Sequence, residues 1–86
     1  MRYPLETSQQ LSAVLKALRR SRQMTQAELG ERLGVNQKRV ARIEAAPGVT
    51  SFDQISRLVA LMGYRLVLEA LPSGDAPTAA KDTTSW

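Results

Sequence analysis

Apolar positions recur at helical spacing in four successive runs along this 86-residue chain. Leu11, Val14, Leu15 and Leu18 fall at i, i+3, i+4 and i+7, one stripe of an amphipathic helix that Thr7 or Ser8 can cap. The second run is shorter. Thr25 is its N-cap, Glu28 three residues on completes a capping box, and Leu29 and Leu33 form its buried side. Gly34 then supplies a residue suited to the left-handed conformation that ends a helix. Asn36 caps a third helix with Val40 and Ile43 facing inward, and Pro47-Gly48 breaks the pattern. From Ser51 a fourth helix carries Phe52, Ile55, Leu58, Val59 and Met62 on one side and stops at Gly63.

The period then changes. Tyr64–Leu71, "YRLVLEAL", has strand character: Leu66, Leu68 and Ala70 share one face, and Arg65, Val67 and Glu69 share the other. A lone strand has no ladder partner, and the simplest remedy is the same strand of another copy. Antiparallel pairing about Val67 places Arg65 opposite the partner copy's Glu69, so opposite charges meet on both sides of the two-fold axis. The alternative is that this stretch continues the last helix or lies as an extended arm. From Pro72 onward "PSGDAPTAAKDTTSW" is small, polar and interrupted by proline, a composition typical of flexible tails. It ends in Trp86, which is either a loosely constrained terminal residue or a peptide anchor for a partner. The expected organisation is a mainly α chain: a helix-turn-helix domain over 1–63, a dimerisation strand over 64–71 and a flexible tail over 72–86.

Composition narrows the function. The chain has neither cysteine nor histidine, so the usual zinc sites and the His- or Cys-based catalytic constellations are missing. Acidic residues are scattered, and no nucleophile–base pair is suggested. We expect no enzyme, no metal and no cofactor. No apolar run approaches the roughly 20 residues of a membrane helix, and no signal pattern opens the chain, so a cytoplasmic protein is the default expectation. Residues 1–46 hold nine Lys/Arg against four Asp/Glu, whereas residues 47–86 hold three against four. The positive charge therefore sits in the half that contains the second and third helices and favours a polyanionic partner, although charge alone would also fit an anionic membrane surface.

A helix, a glycine turn and a capped second helix at this spacing make a helix-turn-helix. With about 100° per residue, Val40 and Ile43 point one way, and Lys38, Ala41, Arg42 and Ala45 point the other, with Gln37 at the N-terminal edge. Long donors separated by alanines suit close approach to a groove, where glutamine can pair with adenine and lysine or arginine with guanine. Gln37, Lys38, Ala41 and Arg42 are the candidate base contacts. Thr25 and Gln26, at a helix N-terminus, are candidates for phosphate, as are Asn36 and Arg39. Asn36, Arg39 and Arg42 could serve either purpose. Arg39 leans away from the outward direction, towards a phosphate or towards packing of its stem.

The stretch "MTQAELGERLGVNQKRVARIE", within residues 11–62, resembles the Xre/lambda-repressor family of helix-turn-helix domains, in "TQAEL", then "LGV", then a helix closing with "IE". The resemblance implies a lambda-repressor-like domain of four to five helices, phosphate contact by Gln26 and base reading by Gln37 and Lys38. It also implies a partly buried pair between Arg19 and Glu44. Four helices, one short strand and a polar tail ending in Trp are similar to the HipB antitoxins. That likeness implies a homodimer joined through Arg65, Leu66, Val67, Leu68 and Glu69. It implies repression of its own operon through a palindromic double-stranded DNA operator, and binding of a HipA-like Ser/Thr kinase toxin with Trp86 as a contact. Base-reading residues "VNQKRVAR" are more basic than that pattern. A stand-alone repressor, or an inhibitor whose basic surface is incidental, are the competing expectations.

Overall fold

The computed structural model describes residues 2–72. Four α-helices follow one another: α1 (Ser8–Ser21), α2 (Gln26–Leu33), α3 (Gln37–Ala45) and α4 (Phe52–Leu61), with a 3₁₀ turn at Pro47–Val49 between the last two. Each α-helix starts where a side chain can satisfy its orphan amides. Thr7 accepts from the Gln10 amide, and the Gln10 side chain accepts from the Thr7 amide, so the choice between Thr7 and Ser8 falls to Thr7. Thr25 and Glu28 form the same reciprocal pair on α2. Asn36 and Ser51 accept from the amides three residues on and cap α3 and α4.

Apolar stripes from all four helices meet in one core. Leu15, Leu18, Leu29, Leu33, Val40, Ile43, Ile55, Leu58, Val59 and Met62 are buried, and Leu11 and Val14 pack against its edge. Phe52 departs from expectation: it is 69% exposed. As the first residue of α4 it keeps the helical period but lies beyond the reach of the core.

The bend between α2 and α3 depends on two glycines. Gly34 takes φ 85°, a left-handed value that costs a residue with a Cβ roughly 1–2 kcal/mol. The amides of Gly34 and Val35 both donate to the Gly30 carbonyl at 2.8 Å, closing the end of α2. Gly30 is needed for a different reason. A Cβ there would lie 2.7 Å from the Val35 carbonyl oxygen and 3.2 Å from both the Asn36 oxygen and Val40 Cγ2. Only a bare backbone lets the turn fold so tightly against α2.

The strand expected over 64–71 is not formed: no strand occurs among the described residues. The reason is the missing second edge, because one chain offers this segment no ladder. Instead the segment lies beside the N-terminal residues. Tyr3 and Tyr64 meet edge to face, ring centroids 6.1 Å apart. The Arg22 guanidinium lies 5.5 Å from the Tyr64 ring centroid, while its Nε donates to the Met62 carbonyl at 2.8 Å. Glu69, expected opposite Arg65 of a second copy, is paired here with Arg2. Leu66 packs on the core; Arg65, Val67, Leu68 and Glu69 are exposed. Residues 73–86, including Trp86, lie outside the described residues.

Candidate nucleic-acid interface

Where α3 begins, Asn36, Gln37 and Lys38 are exposed. Asn36 spends its carbonyl oxygen on the cap, accepting from the Arg39 amide at 2.8 Å. One turn further, Arg42 and Ala45 are exposed and Ala41 is half-buried, so the outward face is the one the helical period implies. Val40 and Ile43, fully buried, fix that orientation by anchoring the opposite side.

Glu44 lies beneath this face and is 1% exposed, the sole polar or charged side chain among the buried described residues. A buried carboxylate is tolerable only when paired and hydrogen-bonded, and this one is both. Arg19, reaching from α1, donates through Nε at 2.7 Å and through Nη2 at 3.3 Å. Its Nη1 donates to the Met24 carbonyl at 3.0 Å, tying the pair to the residue before the Thr25 cap of α2. Gln26 adds a third donor, its Nε2 lying 3.1 Å from Glu44 Oε1. The Gln26 Oε1 in turn accepts from Gln37 Nε2 at 3.2 Å. No buried side-chain nitrogen or oxygen among the described residues lacks a partner.

This relay runs Arg19, Glu44, Gln26, Gln37, from the interior to the exposed start of α3. It settles the amide orientations by chemistry. Because Glu44 can only accept, Gln26 must present its NH₂ to it, leaving the Gln26 carbonyl to accept from Gln37. Gln37 therefore keeps its carbonyl oxygen and one N–H for a ligand. Helix position and the family resemblance both put Gln26 on phosphate; the structure adds that its amide is held from both sides. Its second amide hydrogen and the start of α2 remain beside the exposed Thr25. Thr25 itself accepts from the Glu28 amide at 3.0 Å and its amide donates to Glu28 at 2.8 Å. Those bonds lower the Glu28 carboxyl below its ordinary value, the Thr25 backbone amide contributing most and the Thr25 side chain next.

Arg39 is turned to α4. Its Nη2 donates to Gln54 Oε1 at 2.6 Å, and the side chain is half-buried. This places one guanidinium nitrogen on α4, and Gln54 is the tether sequence reasoning missed. Ser51, whose hydroxyl accepts from the Gln54 amide at 3.2 Å, places Gln54 on the first turn of α4. Gly30 was also missed. A glycine inside a helix costs about 1 kcal/mol against alanine, which was the available signal that something required it.

Two short helices at a glycine bend, with a capped and basic outer helix held by a buried ion pair, define a helix-turn-helix DNA-binding module. A family model described as a helix-turn-helix domain matches residues 10–71, and the chain belongs to this family, of the Xre-like kind. Family and fold together make it a DNA-binding transcription regulator. No curated protein and no solved structure matches it significantly. Among the described residues no helix is long and apolar enough to cross a membrane.

Proposed function

We propose that this chain is a sequence-specific repressor that binds a palindromic operator as a homodimer. We further propose that it is the antitoxin of a HipA/HipB-type pair, repressing its own operon and neutralising a Ser/Thr kinase toxin, with no catalytic activity of its own. The relay ending at Gln37 carries the base-reading part. It leaves that side chain one acceptor and one donor, the combination that adenine N6 and N7 require. Lys38 beside it suits guanine, Ala41 allows close approach to a thymine methyl, and Arg42 suits either base or backbone. Thr25, Gln26 and Asn36 flank them as phosphate contacts, and Arg39 contributes chiefly by its tie to α4.

The experiment is selection from a random duplex library followed by anisotropy titration. Selected sites should be inverted repeats with half-sites about one DNA turn, ~34–36 Å, or a multiple of it apart. Affinity should fall steeply with salt, the log–log slope being about −0.9 per phosphate neutralised. Equal affinity for any duplex contradicts the proposal.

The antitoxin part rests on the resemblance of the whole sequence to HipB antitoxins, with Trp86 as the expected toxin contact. Its test is capture of a purified HipA-like kinase by the full chain but not by a chain ended at residue 72. The second reading, a stand-alone Xre-type repressor, is favoured by the extent of the family match: residues 10–71 suffice for it. Operator binding with no kinase captured by either chain would select it.

A further inference from the structure

An open groove of about 520 Å³ lies between the N-terminal segment and residues 64–71. Tyr3, Leu11, Val14, Leu18, Val59 and Leu66 are among its walls. Exposure alternates along the segment beside it: Tyr64 and Leu66 are half-buried, Arg65 and Val67 exposed. Leu68 continues the inward parity of Tyr64 and Leu66 yet is 103% exposed, because the segment has passed the end of its own core. A leucine on the core-facing side with nothing beneath it needs a cover from elsewhere.

We infer that the groove is the seat for Leu68 of a second copy, and that Arg2 must release Glu69 for the copies to join. The inference rests on the homodimer proposed above and specifies how its two copies meet. Antiparallel pairing about Val67 sets Leu66 opposite the partner copy's Leu68 on one face, as directly opposed residues share a side. Leu66 forms part of the groove wall, so each incoming Leu68 lands over the other copy's groove. Charge agrees with this occupant: the same register brings Arg65 of each copy to Glu69 of the other. In the single chain that Glu69 is held by Arg2, from the segment that also supplies Tyr3 to the groove. The N-terminal segment thus stands in for the second copy, and pairing exchanges one arginine for another.

Sedimentation of the full chain over a concentration series tests this with three variants. Leu68→Asp should weaken dimerisation roughly 100-fold or more, since two leucines lose their burial. Leu68 is solvent-exposed in the single chain, so the thermal melt of dilute protein should be unchanged. Arg2→Ala should tighten dimerisation about two- to fivefold, the scale of an exposed ion pair removed from the competing state. Val67→Pro, which removes ladder hydrogen bonds while leaving Leu68 in place, should also weaken it. Loss of dimer in Val67→Pro but not in Leu68→Asp overturns the groove seat and leaves the strand pairing standing. A dimer unaffected by either variant overturns both. Weaker dimerisation in Arg2→Ala overturns the exchange at Glu69. A wild-type chain that stays monomeric at about 100 μM gives the groove to some other occupant and ends the proposal.

Discussion

Neutralising Glu44 is the most informative perturbation of the interior. Glu44→Gln keeps the side-chain size and one acceptor but leaves the Arg19 guanidinium without its counter-charge. Arg19's side chain is 13% exposed and Glu44's 1%. Removing one member of a fully buried pair costs about 3–5 kcal/mol. Partial wetting of Arg19 and the acceptor retained by glutamine place the expected loss lower, at about 2–3 kcal/mol. For a domain of this size each kcal/mol shifts Tm by about 4–8 °C, so the melt followed by circular dichroism should fall by roughly 10–20 °C. The double variant Arg19→Met, Glu44→Leu removes both charges and refills the space, and should lie within about 1 kcal/mol of wild type. The two sites would then couple strongly in a double-mutant cycle. Additive losses, or a Glu44→Gln cost below about 0.5 kcal/mol, would refute the reasoning, because the pair would then not be a desolvated one. Glu44→Gln should also reduce operator discrimination at temperatures where it is folded, since one remaining oxygen must then serve both Arg19 and Gln26.

Two further predictions follow from the helix-turn-helix itself. Gly30→Ala drives a methyl against two backbone carbonyls of the turn, so urea denaturation should show a loss of about 1–3 kcal/mol despite alanine's better helix propensity; a gain in stability would mean the turn can move away. Glu28, whose carboxyl is lowered by its Thr25 bonds, gives a pH signature. A depressed pKa contributes stability that is present above the unfolded value and is lost as pH falls through the folded one. Wild type should therefore exceed Glu28→Gln in urea midpoint at neutral pH, and the difference should vanish in acid; a gap that persists there contradicts the charge contribution of this cap.

Helix positions were legible because their signals are local. Thr25 with Glu28, Asn36 before α3 and Ser51 before α4 announce helix starts within three residues of chain, and the leucine and valine stripes announce which side is buried. Pairings that cross the fold were less so. Glu44 and its partner Arg19 lie 25 residues apart, and only the family resemblance joined them. The inward hold on Gln26 depends on where Glu44 ends up, so neither its helix position nor the resemblance, which both pointed to phosphate, disclosed it. Arg39 and Gln54 lie 15 residues apart and meet only once the chain has turned between α3 and α4. Phe52 shows the limit of periodicity, which assigns a face to a residue without saying whether the core extends that far. The period-two stretch at 64–71 states a preference for pairing that a single chain has no second edge to meet.

That α3 reads bases with Gln37 and Lys38 is tested most directly by anisotropy titration of a selected operator against a scrambled duplex of equal length. Wild type should prefer the operator. Gln37→Ala and Lys38→Ala should each shrink that preference by about 1–3 kcal/mol for every base that goes unread, with far less change on the scrambled duplex. A preference that survives both substitutions intact would contradict the account.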